Sequence, residues 1–242
     1  VSYLDAVNGK NEMTAQLREK NYHMLADEKT VTVLDGKAHF IADHEIEVEL
    51  PNGKKAQYKG DRIFINTGAV PVMLPIPGLK ESKYILDSTQ AMDEKKMPKN
   101  LTIIGAGYIG LEFASMFAKY GSEVTVLDHN KEFLVREDED ISNAVRKDME
   151  DAGIKFELGA DIEKITDEKT DAKVTYQING KTKAINADRI LVATGRKPNT
   201  ENLGLENTAI ETTDRGAIKV DDFLRTTVDN VWAMGDVKGG LQ

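Results

Sequence analysis

At 242 residues the chain can hold one large core or two modest ones, and an internal duplication favours two. Its formal net charge of -9 repels phosphate-rich partners, which argues against nucleic acid and anionic membrane surfaces while leaving room for a local basic patch at a nucleotide. Cysteine is absent, which excludes thiolate catalysis, disulfide staples and thiolate metal sites, so any redox work has to come from a cofactor.

In chain order, the apolar spacing predicts a helix over residues 13–26, with Met13, Leu17, Met24 and Leu25 on one side. Alternating segments at 31–34, 38–41 and 46–50 follow, then a turn at Asn52-Gly53 and a strand over 63–66. These read as a small antiparallel sheet feeding a buried strand. Residues 70–78 carry three prolines' worth of interruption at Pro71, Pro75 and Pro77, so they read as an extended connector holding a domain boundary. Beyond Pro98 the pattern becomes strand (101–104), glycine turn, helix (108–120), strand (123–127), helix (139–152) and strand (154–158), a βαβαβ unit with a parallel sheet. A β-meander over 161–165, 173–178 and 182–185 precedes a strand at 190–193, and a second connector over 196–205 returns the chain to its first domain.

The duplication is direct. Asp61-Arg62-Ile63-Phe64-Ile65-Asn66-Thr67-Gly68-Ala69-Val70-Pro71 returns ungapped as Asp188-Arg189-Ile190-Leu191-Val192-Ala193-Thr194-Gly195-Arg196-Lys197-Pro198, and Asn52-Gly53-Lys54 keeps the same spacing to Asn179-Gly180-Lys181. Each copy reads as a hairpin turn followed by a buried strand ending in Thr-Gly. The glycine turn lies between the copies, so one nucleotide-binding domain (78–197) is expected inside another (1–77 with 198–242).

Gly105-x-Gly107-x-x-Gly110 follows a strand and opens a helix, with Tyr108 and Ile109 between the last two glycines. The first glycine permits the tight turn, the second lets backbone amides approach a pyrophosphate, and the third lets helix and strand pack closely, while the helix N-terminus adds partial positive charge. Asp128 closes the next strand near the spacing, about 20 residues on, at which a carboxylate accepts hydrogen bonds from the adenosine ribose. A carboxylate there repels a 2′-phosphate, so NADH is favoured over NADPH, with His129 and Lys131 able to soften the preference. A glycine turn without ligand and Asp128 as a plain strand-end cap are the structural alternatives. The four histidines, His23, His39, His44 and His129, show no zinc spacing, and the acidic run 137–140 reads as a charge complement to a helix N-terminus, so no metal site is expected. No apolar run approaches membrane-spanning length and no charged start precedes an apolar stretch, which leads to an expected cytoplasmic location.

Gly-Ala-Gly-Tyr-Ile-Gly-Leu-Glu at 105–112, Ala-Thr-Gly-Arg-Lys-Pro-Asn at 193–199, and Val-Asp-Asp-Phe-Leu-Arg-Thr-Thr at 220–227 leading to Trp232-Ala233-Met234-Gly235-Asp236 resemble the flavoprotein disulfide reductases, the pyridine nucleotide-disulfide oxidoreductases. The resemblance covers essentially the whole chain, and the motifs occur in family order. The closing segment 235–242 and the segment 133–140 are most similar to the reactive-chlorine-resistance and mercuric-reductase-like branch.

The resemblance implies an α/β, Rossmann-like FAD/NAD(P)-binding fold and transfer of hydride from NADH or NADPH to FAD, then on to a disulfide or similar acceptor. It further implies that Asp236 bonds the flavin ribityl chain with Gly235 allowing close approach, and that Thr67-Gly68 lies along the FAD. Tyr108 matches a gating aromatic over the flavin, Glu112 a carboxylate that pairs with a lysine beside the redox cysteines, and Gly195-Arg196 a position near the flavin. The family's N-terminal glycine motif, its Cys-x4-Cys pair and its C-terminal interface domain with a catalytic His-Glu pair find no match here. The chain is therefore expected to be a central, catalytically silent part of a longer enzyme that forms a homodimer through that interface domain, with no catalytic residue of its own. A dithiol-free FAD/NAD(P) oxidoreductase of the ferredoxin-reductase or NADH-oxidase kind, or a non-enzymatic NAD(H)-binding sensor, remains as an alternative.

Overall fold

A computed structural model describes residues 2–240; Val1, and Leu241 and Gln242 of the closing motif, lie outside the described residues. The chain opens with α1 (Tyr3–Ala26), well before the predicted start at 13. Its early turns are anchored by Tyr3, whose hydroxyl donates to the Glu94 carbonyl at 2.6 Å and whose ring meets Tyr120 edge-on. Only Val7 is buried on this helix, and the predicted apolar side of Met13, Leu17, Met24 and Leu25 is exposed, because no described residue packs over it.

Residues 31–34, predicted to be extended, form no strand. The antiparallel sheet instead comprises β1 (Lys37–Ala42), β2 (Glu45–Glu49) and β3 (Lys55–Lys59), the last too polar to show in the pattern. Between β2 and β3, Gly53 takes a φ of 77° and donates to the Leu50 carbonyl, as the Asn-Gly turn requires. Then follow β4 (Ile63–Ile65), β5 (Ala69–Pro71), β6 (Ile85–Leu86) and α2 (Ser88–Asp93). The Rossmann-like core continues with β7 (Asn100–Ile104), α3 (Tyr108–Tyr120), β8 (Glu123–Asp128), α4 (Glu139–Asp151) and β9 (Lys155–Leu158). The meander β10 (Asp161–Asp167), β11 (Ala172–Ile178) and β12 (Lys181–Ala187) precedes β13 (Arg189–Val192), β14 (Arg196–Pro198) and β15 (Val231–Ala233). The edge strand β6 and the helix α2, held by a capping box between Asp87 and Gln90, were not anticipated, because both are too short to carry a period. Both connectors begin in paired extended backbone, β5 with β14, where a proline at each strand's end is tolerated.

The chain divides into two compact units, one running to Gln16 and resuming over Pro71–Gly195, the other spanning Leu17–Val70 and resuming at Arg196. In the first, five parallel strands run in the order β6-β13-β7-β8-β9. One face of the sheet, including Leu101, Ile103, Val124 and Val126, packs on Leu111, Ala114 and Phe117 of α3. The other, with Ile104, Leu127, Ile190 and Val192, packs on Ile165, Val174 and Tyr176 of the meander. Burial on both faces is why these strands read as unbroken apolar runs. In the second unit β4 and β15 pair in parallel, with Ile63, Ile65, Val231 and Ala233 buried beside Phe40, Ile218 and Val237. Among the described residues no helix is long and apolar enough to cross a membrane.

A partly buried ion pair links α2's end to β13. Arg189 Nε donates to Glu94 Oε2 at 2.6 Å, with side chains 27% and 14% exposed. Burial pushes the Glu94 carboxyl up, but the Arg189 guanidinium and the Lys96 N–H outweigh it and leave it below the ordinary glutamate range. Glu94→Ala is expected to destabilise the fold by about 1.5–3 kcal/mol at neutral pH, the magnitude of a charged hydrogen bond. A lowered folded-state pKa stabilises above the unfolded value, about 4.3, and that contribution disappears as pH falls below it. Thermal melts of both proteins should therefore converge in acid; a gap that persists there would count against the pair.

Candidate functional site

The glycine turn is built by backbone contact. Where β7 leaves the sheet, Gly105 takes a φ of 108° and donates to the Leu127 carbonyl at 2.8 Å. A Cβ there would stand 2.5 Å from the Ala193 carbonyl oxygen, and one at Gly110 would stand 2.1 Å from that of Gly105. Gly107 differs: its φ is an ordinary -78° and a Cβ would meet nothing within 4 Å. It is the N-cap of α3, and no side chain caps that helix, which leaves the amides of its first turn without a side-chain acceptor.

Asp128 closes β8 beside this turn. Its Oδ2 accepts from the Ala106 N–H at 2.6 Å and its Oδ1 from the Asn130 N–H at 2.7 Å. The carboxylate thus caps its own strand end and also ties down the glycine turn, and since a carboxylate offers about four acceptor positions, it keeps capacity for a ligand hydroxyl. Ile109 is half-buried against the α3 core, and Glu112 is exposed without a hydrogen bond or ion pair among the described residues. Tyr108 is exposed and its hydroxyl donates to Glu137 Oε1 at 2.5 Å, a partner that sequence spacing does not reveal. Gly195 lies at the same sheet edge, because β13 pairs with β7 and the Ala193 N–H bonds the Ile104 carbonyl. Its φ of 106° and the absence of any atom within 4 Å of a Cβ leave its backbone open to approach.

The second unit brings together Thr67, Gly68, Gly235 and Asp236 at the ends of the paired strands β4 and β15. Gly235 has a φ of 68°, and a Cβ there would stand 2.6 Å from Asn66 Oδ1, another contact the motif alone does not show. Asp236 is half-buried, and its carboxylate has no hydrogen-bond partner among the described residues. Gly68 has a φ of 72° with open space beside it. Thr67 Oγ1 donates to the Asn199 carbonyl at 2.8 Å, and Arg196 Nη2 to the Ala69 carbonyl at 2.6 Å. In the first unit the repeat-related Thr194 Oγ1 donates to the Val72 carbonyl at 3.1 Å, so each repeat's threonine holds the segment that follows the other repeat.

Two Thr-Gly strands, a glycine turn between them and a closing Gly-Asp turn are matched over residues 3–242 by the family described as pyridine nucleotide-disulphide oxidoreductase. The chain belongs to that family. It is 44% identical, over 99% of its length and 53% of the relative's, to a probable pyridine nucleotide-disulfide oxidoreductase, RclA, of Escherichia coli (strain K12). It is 37% identical to a mercuric reductase of Bacillus cereus, over 98% of this chain and 36% of that protein. A dihydrolipoyl dehydrogenase of Staphylococcus aureus is 36% identical, over 87% of this chain and 44% of its own length. Among solved structures, the HOCl-induced flavoprotein disulfide reductase RclA from Escherichia coli superposes with a TM-score of 0.94 at 42% identity, covering 100% of this chain and 54% of that one. The chain spans about half the length of the E. coli relative. These matches establish the Rossmann-like FAD/NAD(P) fold and the oxidoreductase family.

The glycines separate packing from binding. Gly110→Ala is expected to lower the melting temperature strongly, because its Cβ meets backbone, whereas Gly107→Val should melt close to the parent. Similar losses for both in a thermal scan would show that the turn is purely structural.

The Glu137 carboxylate, bonding the phenol of Tyr108, holds that hydroxyl's pKa above the ordinary tyrosine range. Ultraviolet tyrosinate titration of Glu137→Gln should therefore ionise one tyrosine at lower pH than the parent does. Superimposable curves would mean that the bond does not persist in solution.

Proposed function

We propose that this chain binds a nicotinamide dinucleotide at the β7–α3 turn, with NADH preferred over NADPH, as the NAD(P)H-binding part of an FAD-dependent oxidoreductase. Gly107 carries this reading. A Cβ there would meet nothing in the chain and its φ suits any residue, so the N-cap position alone would accept Ser, Thr, Asn or Asp as readily as glycine, and a ligand that must reach the backbone amides is what favours glycine over them. The amides at the start of α3 would face the pyrophosphate. Asp128, its carboxylate held by the Ala106 and Asn130 amides, would accept the ribose hydroxyls.

The second unit fits the ribityl side of FAD on one observation: the Asp236 carboxylate is half-buried and has no hydrogen-bond partner among the described residues, so it can accept from a hydroxyl. Thr67-Gly68 would line the same ligand, with Arg196 nearby in sequence to Gly195. When bound, FAD supplies the electron acceptor for hydride from the nicotinamide, and a disulfide or similar group takes the electrons onward. Tyr108, exposed on the helix that opens at the turn, would sit where nicotinamide approaches, and its bond to Glu137 would hold the ring in one orientation. The 242 residues contain no cysteine, so we assign them no turnover by themselves, and we place the working enzyme in the cytoplasm as a homodimer of longer chains.

Calorimetric titration with both nucleotides tests the reading, with tighter binding of NADH expected. Asp128→Ala should weaken NADH by about 1.5–3 kcal/mol, roughly 10- to 100-fold, and NADPH by less. Gly107→Val should remove both affinities without unfolding the chain. Equal affinities in the parent, or a Gly107→Val protein that binds normally, would sink the assignment.

A further inference from the structure

The adenosine end of the proposed site carries more charge than Asp128 alone. After β8 the chain turns through His129, Asn130 and Lys131, and the loop from β9 to β10 is strapped across it by two backbone bonds: Gly159 N–H to the Asn130 carbonyl and Ala160 N–H to the Asp128 carbonyl, both 2.8 Å. This fastening brings the first residue of β10, Asp161, against His129, with Oδ1 to Nδ1 at 2.5 Å. Lys131 runs its stem over Gly159, where a Cβ would lie 3.1 Å from Lys131 Cγ, and it forms no ion pair among the described residues. Two carboxylates, Asp128 and Asp161, therefore share the ribose end with His129 and Lys131.

We propose that Asp161 is a specificity-determining residue, which disfavours NADPH by engaging His129. The inference rests on the placement of the nucleotide given above and deepens it. A 2′-phosphate arriving at Asp128 needs hydrogen-bond donors, neutral or charged, that are free to turn toward it. His129 is the nearest in sequence, and its Nδ1 bonds Asp161, which the two backbone bonds bring alongside it. NADH carries no charge at that position, so its binding is indifferent to whether His129 is engaged. The pair is solvent-exposed, 83% and 66%, which limits the effect to the strength of an exposed ion pair, roughly a two- to fivefold change in affinity.

The test is a double-mutant cycle on the 242-residue chain, titrating NADH and NADPH calorimetrically into the parent, Asp161→Asn, His129→Gln and the double variant. Asp161→Asn is expected to tighten NADPH roughly two- to fivefold, less at high salt, and to leave NADH unchanged. In the His129→Gln background the same substitution should bring little further gain. NADPH affinity that does not respond to Asp161→Asn overturns the proposal, as does a gain of equal size without His129, which would make Asp161 a diffuse charge and not a partner. If the parent binds neither nucleotide, the placement of the nucleotide itself fails and takes this inference with it; if the parent binds NADH and only the cycle fails, the placement stands and the role of Asp161 falls.

Discussion

Backbone meets backbone without side chains where β7 passes into α3. Gly105 presses on the Ala193 carbonyl just past β13, and Gly110 on the Gly105 carbonyl, each closer than any Cβ allows. Because protein interiors cannot absorb an added methyl group at such distances, α3 can lie on the sheet at this height only if both positions are glycine. The burial of Leu111, Ala114 and Phe117 follows from that approach, as does the direction in which the first turn of α3 points its amides.

Asp128 shows how a ligand group is prepared before the ligand arrives. Two backbone N–H groups hold its carboxylate, one from the glycine turn and one from its own loop, so the proposed ribose acceptor and the proposed pyrophosphate cradle share a single hydrogen-bond network. The loop between β9 and β10 extends that network by backbone bonds to the same strand end, which is how an acidic residue remote in sequence reaches His129.

The repeat has a structural counterpart that composition alone would not suggest. Thr67 and Thr194 occupy the same position in the two copies, and each donates its hydroxyl to a carbonyl in the segment following the other copy. Both copies end in a glycine with positive φ, Gly68 and Gly195, with open space where a side chain would be. Related strands have thus kept one way of ending while their surroundings diverged: β13 is buried on both faces in a five-stranded sheet, whereas β4 pairs with β15 and turns Phe64 outward to stack on Trp232 at 5.0 Å.

The parallel strands from β7 to β9 were legible to within a residue at each end and the span of α3 in full, because burial on both faces leaves long apolar runs and because Gly105 and Gly110 admit no side chain at the turn. The meander was legible for a different reason: its middle strand, β11, alternates and reports one buried face. Elements whose existence depends on partners distant in sequence were not legible. Strand β6 has two residues and exists because β13 offers it an edge, β3 is polar and exists because β2 does, and α1 starts at Tyr3 because that ring finds Phe117 and Tyr120. The site divides along the same line. Gly105, Gly107, Gly110 and Asp128 are recognised by their spacing after a strand, a pattern that positive φ at Gly105 and close backbone approach at Gly105 and Gly110 account for in part. Glu137 on Tyr108, Asn66 against Gly235 and Asp161 on His129 are set by packing alone, and no local rule requires an acid or an amide at any of them.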